Sequence, residues 1–198
     1  STPLYSSAAS DVYKRQSQAK ELVVNAKCQK PSVCNAAENL IIHGSVAETA
    51  LPGIARALRY EGVELRADSK AKTILKNSGI ESIAAEADDW GTEYLDLILS
   101  IKIIDSLEEA IAFINRYGSS HSDCILTTDK TAAENFLNGV DSATVYWNVS
   151  TRFTDGFEFG LGAEIGISTD KLHARGPMGL RELCSYKFKI VGDGQIKT

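Results

Sequence analysis

The 198-residue chain is 43% hydrophobic and 24% charged, with a formal net charge of −5, the composition of a globular domain with enough residues for one sizeable core. No basic block accompanies this acidic balance, which argues against a dedicated nucleic-acid binder. The apolar run LDLILSIKII is shorter than the roughly 20 residues needed to span a bilayer and is interrupted by Asp96 and Lys102, so no membrane segment is expected.

Residues 1–16 (STPLYSSAASDVYKRQ) show no period and no apolar face. They resemble the adapter-derived ends of translated sequence reads and are set aside as a non-native leader. Regularity begins at residue 17. Leu22, Val23 and Ala26 lie at helical spacing, and Lys30-Pro31 ends that helix because the residue before proline avoids helical geometry. ENLIIH is a predicted strand. Ala50, Ile54, Ala57 and Leu58 mark a helix that stops at Gly62. VELRAD is the next strand, residues 70–77 a helix closed by Gly79, and LILSIKII a β-branched strand. Asp105-Ser106 and Glu108 form a capping signal for a helix lined by Leu107, Ile111 and Ile114 and stopped by Gly118. DCILTT (strand), DKTAAENFLN (helix) and ATVYWN (strand) follow. Strands of this length alternating with amphipathic helices imply parallel βαβ units, a mainly parallel sheet with helices on both faces. After Asn148 the pattern gives way to a glycine- and aromatic-rich stretch of the kind that forms functional loops. The expected organisation is a leader at 1–16, an α/β domain at 17–148 and a glycine-rich C-terminal segment at 149–198.

Cys28, Cys34, Cys124 and Cys184 form no C-x-x-C pair, and the three histidines are dispersed. No metal site is expected, and the cysteines read as reduced thiols of a cytoplasmic protein. Cys34 stands out. Pro31 suits a first helical turn and Ser32 a helix cap, which would place Cys34 in the positive field of a helix start and lower its pKa. The same N–H groups could hold an oxyanion. Against this stands the habit of free cysteine to be buried and inert. No histidine is near in sequence: His43 ends a strand, His121 starts one and His173 lies in a polar loop, and each reads as structural or solvated. The run Gly160-Leu-Gly162-Ala-Glu-Ile-Gly166 does not have dinucleotide-fingerprint spacing and reads as a tight passage of backbone. Glu93, ahead of a strand, could bond a ribose or be a solvated loop carboxylate. Arg152 and Arg175 could each bind a carboxylate or phosphate, or be surface arginines.

Three long stretches go beyond such short signals: NAKCQKPSVCNAAENLIIH, DDWGTEYLDLILSIKIIDSLEEAIAFINRYGSSHSDCILTTD and STRFTDGFEFGLGAEIGISTDKLHARGPMGLRELCSYK. They resemble the gamma-glutamyl phosphate reductase family, of the aldehyde dehydrogenase superfamily, from about residue 17 to the C-terminus. The resemblance implies an aldehyde-dehydrogenase-type catalytic domain plus a C-terminal extension, with Cys34 on the family's catalytic cysteine. Glu93 falls where the superfamily has a glutamate that contacts the nicotinamide ribose; the Gly-Pro of that E-x-F-G-P motif is absent here.

The implied reaction is NADPH-dependent reduction of L-glutamyl 5-phosphate to glutamate 5-semialdehyde with release of phosphate, through a cysteine thioester, in proline biosynthesis. The implied partners are glutamate 5-kinase and further copies of the chain in a homo-oligomer. The family's nucleotide-binding portion lies mostly N-terminal to these stretches, so a truncated chain, inactive alone, is the expectation. The competing readings are a non-catalytic oligomerisation or binding module with an inert Cys34, and a cysteine-dependent acyl hydrolase.

Overall fold

A computed structural model of the chain describes residues 2–5, 12–168 and 170–197. Its elements, in chain order, are β1 Thr2–Tyr5, α1 Val12–Cys28, β2 Asn39–His43, α2 Gly44–Tyr60, β3 Glu64–Ala67, α3 Ser69–Asn77, β4 Ile83–Ala84, β5 Ile98–Ile104, α4 Leu107–Tyr117, β6 Ser122–Leu126, α5 Lys130–Gly139, β7 Thr144–Trp147, β8 Ile165–Ile167 and β9 Gly176–Met178. The first seven strands form one sheet in the order β4-β3-β5-β2-β1-β6-β7, and every pairing in it is parallel. All five strands expected from ENLIIH to ATVYWN are present. β8 and β9 make a separate antiparallel pair.

The strands alternate faces, as period-2 geometry requires. Leu40 and Ile42 of β2, Ile101 and Ile103 of β5, and Cys124 and Leu126 of β6 join a core with α1, α2 and α3. Ile41, Ile104 and Ile125, one step out of phase, join a second core with α4 and α5. The near-continuous apolar runs of these strands follow from burial on both faces. Side-chain caps set the helix starts: Asp68 accepts from Ala71 N at 2.7 Å, Ser106 from Glu109 N at 3.1 Å, and Asp129 from Thr131 N at 2.8 Å. His43 ends β2 and also caps α2, with Nδ1 accepting from Ser45 N at 3.2 Å. α3 is followed by Gly79 at φ 71°, a left-handed position that glycine takes without steric cost.

One element lies where the sequence reading set the chain aside. Thr2–Tyr5 fills the slot between β2 and β6, with Leu4 paired to Ile41 on one side and Ile125 on the other. TPLY carries a proline and no alternation, so no local pattern announces this strand. Among the described residues, no helix is long and apolar enough to cross a membrane.

Candidate active site

Cys34 lies in the turns of residues 31–36, between the end of α1 and the start of β2. The expected helix start is not there, and this corrects the sequence reading: Pro31 and Ser32 open no helix. Cys34 sits instead in turns six residues beyond the end of α1, without the helix N-terminus that was expected to favour its thiolate. The physical reason is tertiary. Asn35 donates from Nδ2 to Thr154 O at 2.8 Å, and its own carbonyl accepts from Thr151 Oγ1 at 2.8 Å. The Arg152 guanidinium donates to Asn35 Oδ1. Ala37 N closes back onto Ala26 O at 2.9 Å. The Asn35 carbonyl and the Ala37 N–H are thus taken by partners outside the turn, and the Asn35 side chain pins it to residues 152–154.

The Cys34 thiol is correspondingly shifted up, not down. Burial raises it and the Glu164 carboxylate adds to the rise, while the N–H groups of Cys34 and Asn35 pull the other way. Glu164→Gln removes the repulsive charge, so Cys34 should be alkylated severalfold faster at neutral pH. Timed iodoacetamide labelling, read by peptide mass, checks this; an unchanged rate would remove Glu164 from the electrostatics of the thiol. Cys184 is also exposed and labels in parallel, so the measurement must resolve the two peptides.

Beneath the Cys34 turn, Lys27 Nζ meets Glu38 Oε2 at 2.7 Å, with side chains 0% and 7% exposed. Burial lowers the Lys27 pKa, and the Glu38 carboxylate opposes that shift. The other Glu38 oxygen accepts from Leu95 N at 3.4 Å. One buried pair thus ties both flanks of the cysteine turn to the segment that carries Glu93.

That segment is anchored as well. Tyr94 OH donates to Asp89 Oδ1 at 2.7 Å and lies 2.8 Å from Ser100 Oγ. Asp89 also accepts from Arg66 Nη1 at 2.6 Å and Glu86 N at 2.7 Å. Burial alone would raise the Asp89 carboxyl, but the Glu86 N–H and the Arg66 guanidinium outweigh it and hold the carboxyl below its ordinary 3.8. A depressed folded-state pKa means that the stability Asp89 contributes is present above 3.8 and is lost as pH falls below it. Urea titrations of the wild type and Asp89→Asn should therefore differ at pH 7, and the difference should shrink as pH falls below 3.8.

Cys34, Glu93 and Arg152 line one cleft of about 540 Å³, together with Lys30, Asn35, His121, Asp155, Glu164 and Gly166. The cleft lies at the amino-terminal edge of the parallel sheet, built by the segments entering β2, β5 and β6 and by residues 150–168 returning over them. Arg175 is elsewhere. Its Nη2 pairs with Asp141 Oδ1 at 2.9 Å and with Ser142 O at 3.3 Å, so Arg175 ties the C-terminal segment to the start of β7 and does not line the Cys34 cleft. In the glycine run, Gly160 and Gly162 have φ of 72° and 69° with nothing within 4 Å of an added Cβ. Backbone conformation, not the crowding expected from the sequence, is what requires glycine there. Asn35 and Glu164 were missed as residues lining the cleft, and Lys27 and Glu38 as the buried pair flanking the cysteine turn. Only the adjacency of Asn35 to Cys34 was a local hint. Among the described residues, no group of three or more His, Cys, Asp or Glu side chains could hold a metal ion.

This parallel sheet, covered by helices on both faces, has the aldehyde dehydrogenase architecture: a propionaldehyde dehydrogenase of Clostridium phytofermentans superposes with a TM-score of 0.54 at 17% identity, over 82% of this chain and 43% of that one, a likeness of fold alone. Sequence gives the finer likeness, to gamma-glutamyl phosphate reductases. The enzyme of Caldicellulosiruptor bescii is 58% identical over 90% of this chain and 43% of its own length, and that of Enterococcus faecalis 59% identical over 91% and 42%. The crystal structure of the Thermotoga maritima gamma-glutamyl phosphate reductase matches at a TM-score of 0.88 and 44% identity, over 100% of this chain and 46% of that one. The chain thus spans less than half the length of these relatives. No family model matches it.

Proposed function

We propose that this chain carries the acyl-accepting half of a gamma-glutamyl phosphate reductase site, with Cys34 as nucleophile. The observation that carries the reading is the meeting of Cys34, Glu93 and Arg152, far apart in sequence, in one cleft, in a chain similar to those enzymes over nine tenths of its length. In the proposed step the Cys34 thiolate attacks the carbonyl carbon of L-glutamyl 5-phosphate. A C–S bond forms, the C–O bond to phosphate breaks, phosphate departs with its electron pair, and a thioester remains. A good leaving group removes the need for a histidine to activate water. In this reading the backbone N–H groups at Cys34 and Asn35, which favour the thiolate, also polarise the acyl oxygen. Arg152 is bound to Gln29 Oε1 at 2.9 Å and to Asn35, so it steadies the cysteine turn before it can hold a ligand anion.

NADPH, when bound, supplies the hydride that takes the thioester to the aldehyde. The residues present fit its ribose. Glu93 lies on the boundary between the Cys34 cleft and a second recess of about 330 Å³ lined by Asn39, Trp90 and Ser119. Asn39 Oδ1, buried there, has no hydrogen-bond partner among the described residues. A carboxylate and an unpartnered amide oxygen are both acceptors, and ribose hydroxyls are donors.

The substrate must come from a kinase that phosphorylates a side-chain carboxylate. Four free cysteines suit a reducing cytoplasm. Self-association is the reading we favour for the exposed apolar tail of Tyr186, Phe188, Ile190 and Val191.

The test generates glutamyl phosphate in situ from glutamate, ATP and a glutamate kinase. It follows NADPH absorbance and, independently, the mass of the Cys34 peptide. A hydroxylamine-labile glutamyl adduct on Cys34 is expected. Steady phosphate release with no adduct and no NADPH dependence would favour the acyl hydrolase, and no reaction at Cys34 would favour the inert module.

A further inference from the structure

His121 is a cleft residue that this chemistry leaves unused. It precedes β6, is 5% exposed, and lines the cavity with Cys34. Its Nδ1 lies 2.7 Å from Ser122 Oγ. Its Nε2 is buried and has no hydrogen-bond partner among the described residues. Such atoms are uncommon in folded proteins and mark sites where a partner is supplied from outside. Gly166, which also lines the cavity, stands beside Nε2 with no side chain of its own: a Cβ built there would be 3.5 Å from Nε2 and meet no other atom within 4 Å.

The proton on the ring can be placed from its neighbours. Ser122 Oγ lies 2.6 Å from Thr154 Oγ1, which lies 2.9 Å from Tyr146 OH. The row runs phenol, alcohol, alcohol, imidazole. A phenol is the better donor of the three hydroxyls and the poorer acceptor, and a neutral imidazole nitrogen is a good acceptor. The hydrogen bonds therefore run from Tyr146 through Thr154 and Ser122 into Nδ1, and neighbouring bonds in such a chain reinforce one another. Burial lowers the His121 pKa to about 4, so the ring is neutral near pH 7 and carries one N–H. With Nδ1 accepting, that N–H is at Nε2.

We propose that His121 is a substrate-contacting residue, whose Nε2–H donates to the acyl oxygen that gathers negative charge when Cys34 sulfur adds to the acyl phosphate. This rests on the reading of Cys34 as acyl acceptor. The donor is fixed in place before reaction and costs no reorganisation, the condition under which one hydrogen bond to a developing oxyanion is worth most. A neutral donor also leaves the thiol's own protonation undisturbed.

The experiment compares acylation of Cys34 by in situ glutamyl phosphate with its alkylation by iodoacetamide, which develops no acyl oxyanion. His121→Phe should slow acylation by about 10²-fold and leave alkylation unchanged, and His121→Gln, which retains an N–H donor, should recover part of the loss. Gly166→Ala, which places a methyl against Nε2 without a positive φ to strain it, should also slow acylation with the fold intact, and it decides the matter if His121→Phe does not fold. Nitrogen NMR of the labelled imidazole should find the proton on Nε2. Acylation of His121→Phe or of Gly166→Ala at the wild-type rate, or a proton on Nδ1, overturns the proposal. A wild type that never acylates overturns the Cys34 reading instead.

Discussion

Lys27→Ala should cost about 3–5 kcal/mol of folding stability, the usual price of leaving one member of a buried ion pair without its partner. Glu38 would remain with its carboxylate 7% exposed and no cation beside it. By contrast Lys70 and Asp105 have the same 2.7 Å separation but are 57% and 70% exposed, and solvent screens such a pair to little effect. Distance alone does not rank the two; burial does. The double variant Lys27→Met/Glu38→Leu should regain most of the lost stability, since apolar residues of similar volume commonly replace a buried pair at no net cost. It should still acylate Cys34 more slowly, because the bond from Leu95 N to Glu38 Oε1 goes with the carboxylate. Urea unfolding followed by tryptophan fluorescence gives the first two results and timed acylation the third. A loss under about 1 kcal/mol in Lys27→Ala, the scale of an exposed pair, would show that the cysteine turn holds together without it.

Legibility in the sequence followed the range of the interactions. Five of the six strands from β2 to β7 were readable because burial on both sheet faces demands apolar runs, and ENLIIH or LILSIKII supplies them. The helices were readable from caps that act within three residues, such as Ser106 on Glu109 N. β4, two residues long with both side chains exposed, has neither an apolar run nor alternation and went unseen. β1 went unseen because its pairing is made by partners, Ile41 and Ile125, that lie far along the chain.

The candidate site was legible residue by residue and not as a site. Cys34 and Glu93 drew attention through local context and a resemblance, and Arg152 only as one of two arginines. Their meeting depends on segments that enter different strands and on the return of residues 150–168. Pro31-Ser32 looked like a helix start because propensity is local. Asn35 contacts residues more than a hundred positions away, and those contacts decided the backbone. His121 looked structural because nothing nearby in sequence reveals that Nε2 lacks a partner among the described residues and faces Gly166.

Cys34→Ser should slow acyl capture from glutamyl phosphate by about 10³-fold or more, the scale seen when an enzyme loses its nucleophile. The argument compares four cysteines within one chain. Cys124 is buried, its pKa pushed up to about 12, so it offers almost no thiolate at neutral pH and no access. Cys28 is partly buried, and burial with the Glu61 charge pushes its thiol up to about 11. Cys184 is exposed, and the cleft that holds Cys34 has no lining contributed from its segment. Accessibility alone would make Cys34 and Cys184 equals toward iodoacetamide. Only Cys34 has Asn35, Arg152 and the turn N–H groups around it, so only Cys34 should distinguish an acyl phosphate from a simple alkylating agent. Serine keeps the size and loses the reactivity, since an alcohol near pH 7 is almost wholly protonated and, among the described residues, no general base is hydrogen-bonded to this side chain. The matching Cys28, Cys124 and Cys184 serine variants should keep most of the acylation rate. Quenched samples analysed by peptide mass give each rate at each cysteine. A comparable loss in Cys28→Ser, or an adduct that moves to Cys184 without loss of rate, would show that the cleft does not select its nucleophile.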